Sequence, residues 1–197
     1  MNEKLEQLHF TNDYTVLDYY NLPEGSPYQL IEGDLVMSPS PTTEHQSISR
    51  NIEFLILNHV KKNNLGIVFN APIDVYLDDI NAYQPDIIFI LNKNKSIIQK
   101  KGIKGAPDLV IEILSPSSLY YDTKTKKNIY ERIGVKEYII IDPEEKTIDI
   151  FLSKPSDAAC SNKFMHSKID YKDAKALYIE TLGLNADLSE IFQSDIE

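Results

Sequence analysis

The sequence predicts an α+β protein in which a mixed β-sheet is flanked by helices. A long amphipathic helix precedes a run of apolar, β-branched strands. A second helix follows the most apolar of these strands, and more strands follow that helix. This order of elements is typical of a mixed sheet covered by helices. One domain over residues 1–197 is the simplest account of a chain of this length.

The N-terminal part is predicted to contain one strand pair between two helices. Thr43 is expected to cap the longer helix, with Gln46 completing a capping box. Apolar residues then recur every three or four positions, as in an amphipathic helix. The predicted elements are a short helix at 12–20, a turn at 22–27, two strands within 28–38 about a turn at Glu32-Gly33, and a long helix that ends near residue 63.

The rest of the chain is predicted to be mainly strands. The lysine-rich connection 92–106 is expected to hold a helical turn or to be mobile, and 154–163 is expected to be a polar loop. The predicted elements are two strands within 66–77 separated by Pro72, strands at 84–91 and 107–114, a helix capped by Ser117 or Ser118 and ended by Gly134, a hairpin of 135–143 with 146–152, and a strand at 176–180.

Composition excludes several classes of protein. Hydrophobic residues make up 42% and charged residues 25% of the chain, which is ordinary for a globular domain. The apolar runs reach only about five residues, whereas a membrane helix needs roughly 20, and the polar start MNEKLEQLHF does not resemble a signal peptide. The single cysteine, Cys160, excludes an internal disulfide and a multi-cysteine zinc site. We therefore expect a cytoplasmic protein without a membrane segment.

The charge is distributed unevenly along the chain. A net charge of −10 argues against a protein that coats nucleic acid non-specifically. Residues 87–136, however, contain ten of the twenty Lys and Arg residues and only four acids, so this segment is +6 and the remainder is −16. Lysines on solvated loops and helix faces would account for the bias, and so would a basic surface beside an acidic site.

An acidic residue interrupts the most apolar strand, PDLVIEIL (107–114). Side chains alternate between the two faces of a strand, so Glu112 shares a face with Val110 and Leu114. Burying an ionised carboxylate costs several kcal/mol unless a partner or a metal compensates. In QPDIIFIL, Asp86 opens the strand. If the two strands are neighbours, the two carboxylates converge at one end of the sheet.

A divalent cation would resolve the conflict between two adjacent carboxylates. Carboxylates within about 4–6 Å raise each other's pKa, and oxygen-rich sites suit Mg²⁺ or Mn²⁺. Each residue also has an ordinary explanation, because Asp86 follows Pro85 and could stabilise a turn, and Glu112 could form a structural ion pair. Since both acids lie in buried strands, together they favour a metal site.

The helix after this strand offers a cation to the same place. Asp122, Lys126 and Tyr130 are spaced i, i+4 and i+8, which puts them on one helix face. One interpretation is a helical Asp–Lys pair, worth a few tenths of a kcal/mol, with the tyrosine in the core. In the functional interpretation this face turns toward the sheet, Lys126 meets Glu112 and Asp86, and Asp122 orients the lysine.

These residues resemble a known family. Pro85-Asp86 followed by Glu112 in a hydrophobic strand resembles the PD-(D/E)xK nuclease superfamily. More closely, most of residues 14–152 is similar to the Uma2 family of predicted endonucleases, also called DUF820, and 153–197 would be a C-terminal extension. The matching stretches are YQLIEGDLVMSPSPTTEHQ, APIDVYLDDINAYQPDIIFI, GAPDLVIEILSPSS and YDTKTKKNIYERIGVKEYIIIDPEEKTIDIF. The resemblance implies a restriction-endonuclease-like fold that binds Mg²⁺ or Mn²⁺ and cuts DNA.

The resemblance also implies roles for individual residues. Asp86 and Glu112 correspond to the acidic residues of the superfamily pattern, and the backbone carbonyl of Ile113 would complete the metal coordination. The pattern places a lysine at Leu114, so Lys126 in the next helix is the expected replacement.

Further residues are expected to support the site. They are Asp122, Tyr130, His45 of the matching EHQ, and Gln29, which stands where relatives often carry glutamate. His45 is equally explained as a partly exposed histidine at a helix start. Lys124 and Lys127 of the basic segment are predicted to contact substrate phosphates.

Two other functions remain open at this stage. A nucleic-acid-binding or protein-binding module with the same fold but no catalysis is favoured by Leu114 and Gln29, which replace a lysine and a glutamate. A structural protein is the second alternative, with its carboxylates in ion pairs and the hairpin 135–152 as the edge of a possible homodimer.

Overall fold

The computed structural model describes residues 13–23, 25–116, 118–155 and 162–193. The helices are α1 (Val16–Tyr20), α2 (Thr43–Asn63), α3 (Lys127–Ile133) and α4 (Leu188–Ile191), with a 3₁₀-helix at Asn92–Ile97 and a π-helical stretch at Tyr121–Lys126. The strands are β1 (Tyr28–Ile31), β2 (Asp34–Met37), β3 (Gly66–Asn70), β4 (Val75–Asp78), β5 (Asn81–Tyr83), β6 (Ile87–Leu91), β7 (Ile98–Gln99), β8 (Gly102–Lys104), β9 (Leu109–Ile113), β10 (Glu137–Asp142), β11 (Thr147–Pro155), β12 (Asn162–Asp170), β13 (Ala176–Ile179) and β14 (Leu184–Asp187).

The predicted fold class is confirmed, because mixed sheets are flanked by helices. A central six-stranded sheet has the order β12-β11-β10-β9-β6-β3, in which only the β9–β10 pair is parallel. A second six-stranded sheet has the order β2-β1-β5-β4-β8-β7, and β13 pairs with β14. Within the described ranges, no helix is long and apolar enough to cross a membrane.

The central sheet separates two hydrophobic cores, and strand alternation assigns each residue to one of them. Ile87, Phe89 and Ile111 pack on the face covered by α2 and the C-terminal elements. Ile88 and Val110 pack on the opposite face, with α3 and residues of the second sheet. Val110 shares its strand face with Glu112, so the carboxylate lies on the α3 side of the sheet, as the alternation predicts.

The start of α2 differs slightly from the prediction. Thr42, rather than Thr43, is the N-cap, and its hydroxyl accepts the backbone N–H of His45 at 3.2 Å. The third helical position is therefore His45, so the predicted capping box with Gln46 is wrong. The apolar stripe is confirmed, since Ile48, Ile52, Ile56 and Val60 are buried along α2. A left-handed residue, Asn64, ends the helix.

The predicted sheet edge is also wrong. The hairpin 135–152 lies inside the central sheet, because β10 pairs with both β9 and β11, and β11 pairs with both β10 and β12. β12 and β3 are the outer strands of this sheet. The hairpin therefore offers no free strand edge for a homodimer. The homodimer itself stays a prediction.

Two segments that were predicted to be loops contain regular secondary structure. The connection 92–106 holds the 3₁₀-helix and the short β7–β8 hairpin. Strands β11 and β12 extend into the predicted loop 154–163, of which residues 156–161 lie outside the described ranges. α1 is shorter than predicted, and Thr15 and Asp18 form a capping box at its start.

We predict that Gly66→Ala destabilises the protein by about 3 kcal/mol or more, because backbone cannot give way as a side chain can. A Cβ at Gly66 would lie 2.0 Å from the backbone oxygen of Ile90 on the neighbouring strand. Gly183→Ala is the control, since open space surrounds that position and only its φ of +63° opposes alanine. We expect this variant to lose about 1–2 kcal/mol, the cost of placing alanine in the left-handed conformation. Equal losses for the two variants in chemical denaturation would contradict the close strand contact.

Candidate active site

The candidate active site lies where strands β6 and β9 separate. Their antiparallel pairing runs from Phe89–Leu109 to Ile87–Ile111. β9 continues beside β10 through Ile113, whereas the chain before Ile87 no longer pairs with β9 and stays beside the end of β3, where the carbonyl of Asp86 accepts the N–H of Ala71 at 2.9 Å. The side chains of Asp86 and Glu112 lie where this pairing ends. We call this place the β6–β9 fork.

Asp86 and Glu112 interlock across the β6–β9 fork. Asp86 Oδ2 accepts the backbone N–H of Ile113 at 2.7 Å, which replaces the strand partner that β6 no longer provides. In return, Glu112 Oε2 lies 3.4 Å from the backbone nitrogen of Asp86, at the outer limit of a hydrogen bond. The predicted convergence of the two acids is therefore present in the structure.

Lys126 lies against Glu112 on the α3 side of the sheet. Its Nζ is 2.9 Å from Glu112 Oε1 and 2.9 Å from Asp122 Oδ1. Lys126 is only 3% exposed and Glu112 only 4%. The hydroxyl of Tyr130 donates to the same oxygen of Glu112 at 3.3 Å. The structure thus brings together all three residues of the predicted helix face.

The helix presents these residues through an irregular first turn. Asp122 and Lys126 lie in the π-helical stretch, and Tyr130 follows in α3. The buried hydroxyl of Tyr138, on β10, donates to the backbone carbonyl of Asp122 at 3.0 Å, which fixes this stretch against the sheet. π-Helical turns are frequent at functional sites. Gly134, with φ of 92°, ends α3 where the sequence predicts.

Electrostatics leave this site short of positive charge. Burial raises the pKa of Glu112 above its ordinary value, and the carboxylates of Asp122 and Asp86 raise it further, against the opposing effect of Lys126. Burial alone would lower the pKa of Lys126, but Asp122 and Glu112 outweigh it and hold this pKa above its usual range. Lys126 is therefore positively charged, and its single charge is shared by the carboxylates of Glu112 and Asp122. A further cation would be stabilised beside Asp86 and Glu112.

His45 reaches the fork from the first turn of α2. Its Nε2 is 3.2 Å from Asp86 Oδ2, and its side chain is 10% exposed. Burial alone would lower the pKa of His45, but the hydrogen bond and charge of Asp86, with a hydrogen bond to the backbone carbonyl of Ile113, raise it overall. His45 therefore lies in the site itself and is not a partly exposed residue at a helix start.

Gln29 lies behind the fork, on β1. Its Oε1 accepts the backbone N–H of Gln84 at 3.1 Å, and its Nε2 donates to the hydroxyl of Ser38 at 2.7 Å. The side chain of Gln84 donates in turn to Asp74 Oδ1 at 2.9 Å. Gln29 thus holds the chain two residues before Asp86. A glutamate at this position could accept the same N–H.

The two lysines predicted to contact substrate have different surroundings. Lys124 is exposed, with its Nζ 5.4 Å from the ring centre of Tyr120. Lys127 is half-buried, and its Nζ lies 5.7 Å from the ring centre of Phe151 on β11. Lys124 therefore presents its ammonium group to solvent, whereas Lys127 packs its ammonium group against β11.

Some contributors to the site were missed by the sequence analysis. Tyr83 places its ring 5.7 Å from Lys126 Nζ and packs edge-on against Tyr130. Tyr138 anchors the π-helical stretch, as described above. A hydroxyl-bearing aromatic inside an apolar strand, as in VKEYIIID, is the signal that marks Tyr138 as a residue with a buried polar partner.

The residues at the fork suit a hard divalent cation by their chemistry. Among the described residues, no three histidine, cysteine, aspartate or glutamate side chains lie close enough to hold a metal ion by themselves. The available oxygen donors are two carboxylates, Asp86 and Glu112, and the carbonyl of Ile113, which faces the fork. Such donors match Mg²⁺ or Mn²⁺, and the shortage of positive charge favours either ion.

Comparison with known proteins assigns the family. The model of the Uma2 family, described as "Putative restriction endonuclease", matches residues 14–165, and the chain belongs to this family. The fold is similar to the crystal structure of "a putative nuclease belonging to DUF820" from Anabaena variabilis, with a TM-score of 0.74. The two chains are 22% identical over 90% of this chain and 97% of the other. No curated protein matches the sequence.

We predict that Lys126→Met lowers the free energy of unfolding by about 3–5 kcal/mol, because it leaves Glu112 and Asp122 buried without their cation. Lys124→Met, two residues away on the exposed side, is the matched control and should change stability by no more than about 0.5 kcal/mol. Denaturant unfolding without added metal measures both. A Lys126→Met variant as stable as the control would show that the buried charges do not depend on this lysine.

Proposed function

We propose that this protein is a metal-dependent phosphodiesterase and that it acts as a DNA endonuclease. The observation that supports this most is the meeting of Asp86, Glu112 and Lys126 at the β6–β9 fork. Membership of a family described as a "Putative restriction endonuclease" supports the nuclease class. In an endonuclease of this kind, two acids hold a cation and an ammonium group lies nearby. The two acids and the ammonium group are present here.

Asp86, Glu112 and the carbonyl of Ile113 would hold the Mg²⁺ or Mn²⁺ ion. The bound ion supplies Lewis-acid polarisation of the scissile phosphate and makes water a stronger nucleophile at neutral pH. The N–H of Ile113 fixes the Asp86 carboxylate, and the hydroxyl of Tyr130 fixes that of Glu112. Both oxygen donors are therefore oriented before a cation arrives, which reduces the cost of reorganisation on binding.

Lys126 is the proposed catalytic cation supplied by the protein. Its ammonium group is held between Glu112 and Asp122, inside a site that is nearly closed to solvent. A fixed positive charge in such surroundings can stabilise charge that develops on the phosphate or position the attacking water. Asp122 acts through the lysine, so it is a positioning residue.

The remaining residues have supporting roles in this proposal. Gln29 holds the backbone of Gln84, which leads into Asp86. Lys124 and Lys127 would contact phosphates of the nucleic acid, because they are the cations nearest in sequence to Lys126 and neither is fully buried.

Two observations favour a second function, a nucleic-acid-binding module without catalysis. No cluster of three metal-binding side chains occurs among the residues that the structure describes, and Leu114 stands where the superfamily pattern has its lysine. Calorimetry distinguishes the two functions. A non-catalytic module would bind DNA yet show no binding of Mg²⁺ or Mn²⁺ at millimolar concentration.

We predict that the purified protein nicks supercoiled plasmid DNA in the presence of Mn²⁺ and not in EDTA. Asp86→Asn and Glu112→Gln should each lower the rate by about 100-fold or more, because a bound metal contributes several kcal/mol to stabilising the transition state. Asp149→Asn is the matched control, since this acid lies on β11 and pairs with His166 and Lys168. Gel electrophoresis of the plasmid over time measures the rates.

The assignment of the site fails if Asp86→Asn and Glu112→Gln nick as fast as the Asp149→Asn control. Denaturant unfolding of each variant, performed alongside, separates loss of chemistry from loss of fold.

We also predict that Lys124→Ala weakens binding to all DNA sequences by a similar factor. It should lower the slope of log Kd against log salt concentration by about 1, the change expected when one phosphate contact is lost. Lys62→Ala is the control, because this exposed lysine lies at the opposite end of α2 from His45. Fluorescence anisotropy at several salt concentrations measures both slopes, and equal slopes would remove Lys124 from the DNA contact.

A further inference from the structure

His45 occupies the space between two of the groups proposed to hold the cation. Its Nε2 is 3.2 Å from Asp86 Oδ2, and the backbone carbonyl of Ile113 lies near enough to the ring to raise its pKa. These are a carboxylate and a carbonyl, the oxygen types that a hard cation binds. A side chain of the protein thus lies against the groups that are proposed to hold the cation.

The contact with Asp86 defines what the histidine can do in this position. A carboxylate oxygen is an acceptor, so Nε2 carries the hydrogen when it bonds to Asp86. A nitrogen that carries hydrogen has no lone pair for a metal. The other ring nitrogen, Nδ1, is buried and has no hydrogen-bond partner among the described residues. His45 in this arrangement therefore competes with a cation and does not coordinate one.

We propose that His45 is a built-in competitor of the metal: its ring and a divalent cation compete for Asp86, and the ring leaves this carboxylate when the ion binds. This inference rests on the cation site of the proposed function. His45 would thereby set how much free Mg²⁺ or Mn²⁺ the protein needs before the site is filled.

The position of His45 allows such a movement. It is the third residue of α2, and the Thr42 cap holds its backbone N–H rather than its ring. Rotation of the ring would therefore leave this hydrogen bond of the helix start in place. Rotation gives up the contacts to Asp86 and Ile113, which the cation replaces, and it can give Nδ1 a partner in water.

The test is calorimetric titration of the full chain with Mn²⁺ after treatment with EDTA and dialysis. His45→Ala should lower the dissociation constant for Mn²⁺ about tenfold. This is the change expected if the ring of the wild-type protein leaves the site open in about one molecule in ten. His59→Ala is the matched control. His59 lies on the same helix and its Nε2 also contacts a backbone carbonyl, that of Leu182 at 3.0 Å. Its dissociation constant should equal that of the wild type.

A second variant guards against misfolding. His45→Asn removes the ring but keeps a polar side chain at the helix start, so it should also bind Mn²⁺ more tightly than the wild type. In EDTA, both His45 variants should unfold at a lower denaturant concentration than the wild type, because Asp86 loses a partner. Added Mn²⁺ should narrow this difference, which a purely structural histidine would not produce.

The other outcomes overturn the proposal in distinguishable ways. Weaker Mn²⁺ binding by the variants would make His45 a ligand, and unchanged binding would make it a structural residue. Either result refutes the competitor and leaves the proposed nuclease standing. A wild-type protein that binds no Mn²⁺ at millimolar concentration would remove both the competitor and the cation site.

Discussion

The structure depends on one exchange of hydrogen bonds at the point where β6 and β9 separate. If the sheet pairing continued, the backbone before β6 would satisfy the N–H of Ile113, but the pairing of β6 with β9 ends at Ile87 and Ile111. The carboxylate of Asp86 takes that N–H instead, at 2.7 Å. The substitution satisfies a buried backbone donor and fixes a carboxylate beside Glu112. The same local departure from sheet geometry therefore stabilises the fold and forms the candidate site.

Charge balance around this fork explains the surrounding side chains. Lys126 contacts the carboxylates of Glu112 and Asp122, and the carboxylate of Asp86 acts on Glu112 and contacts His45. Each additional hydrogen-bond donor, such as the hydroxyl of Tyr130, lowers the cost of keeping these groups away from water. Burial this complete is hard to explain by stability alone, because a buried ion pair often contributes little net free energy. Under the proposed function, this arrangement would hold one further cation.

The two periodicities of the sequence located most of this site. The two-residue period of PDLVIEIL put Glu112 on the face of Val110, and the helical spacing of Asp122, Lys126 and Tyr130 put them on one face. The cap was displaced to Thr42, because neighbouring threonines offer equally good hydroxyl groups and only the local backbone chooses between them. The hairpin 135–152 appeared to be an edge because local patterns do not report which strand pairs on the far side. β12, which covers it, comes from a segment that the sequence analysis assigned partly to a loop.

The sequence by itself determined the fold class, the faces of β9 and α2, and the identity of the charged residues, because these follow from contacts between near neighbours in the chain. The tertiary structure decided which of those residues meet. The contact of His45 with Asp86 joins α2 to the start of β6, and that of Gln29 with Gln84 joins two separate sheet regions. Such contacts depend on how distant elements pack, and no local spacing encodes them.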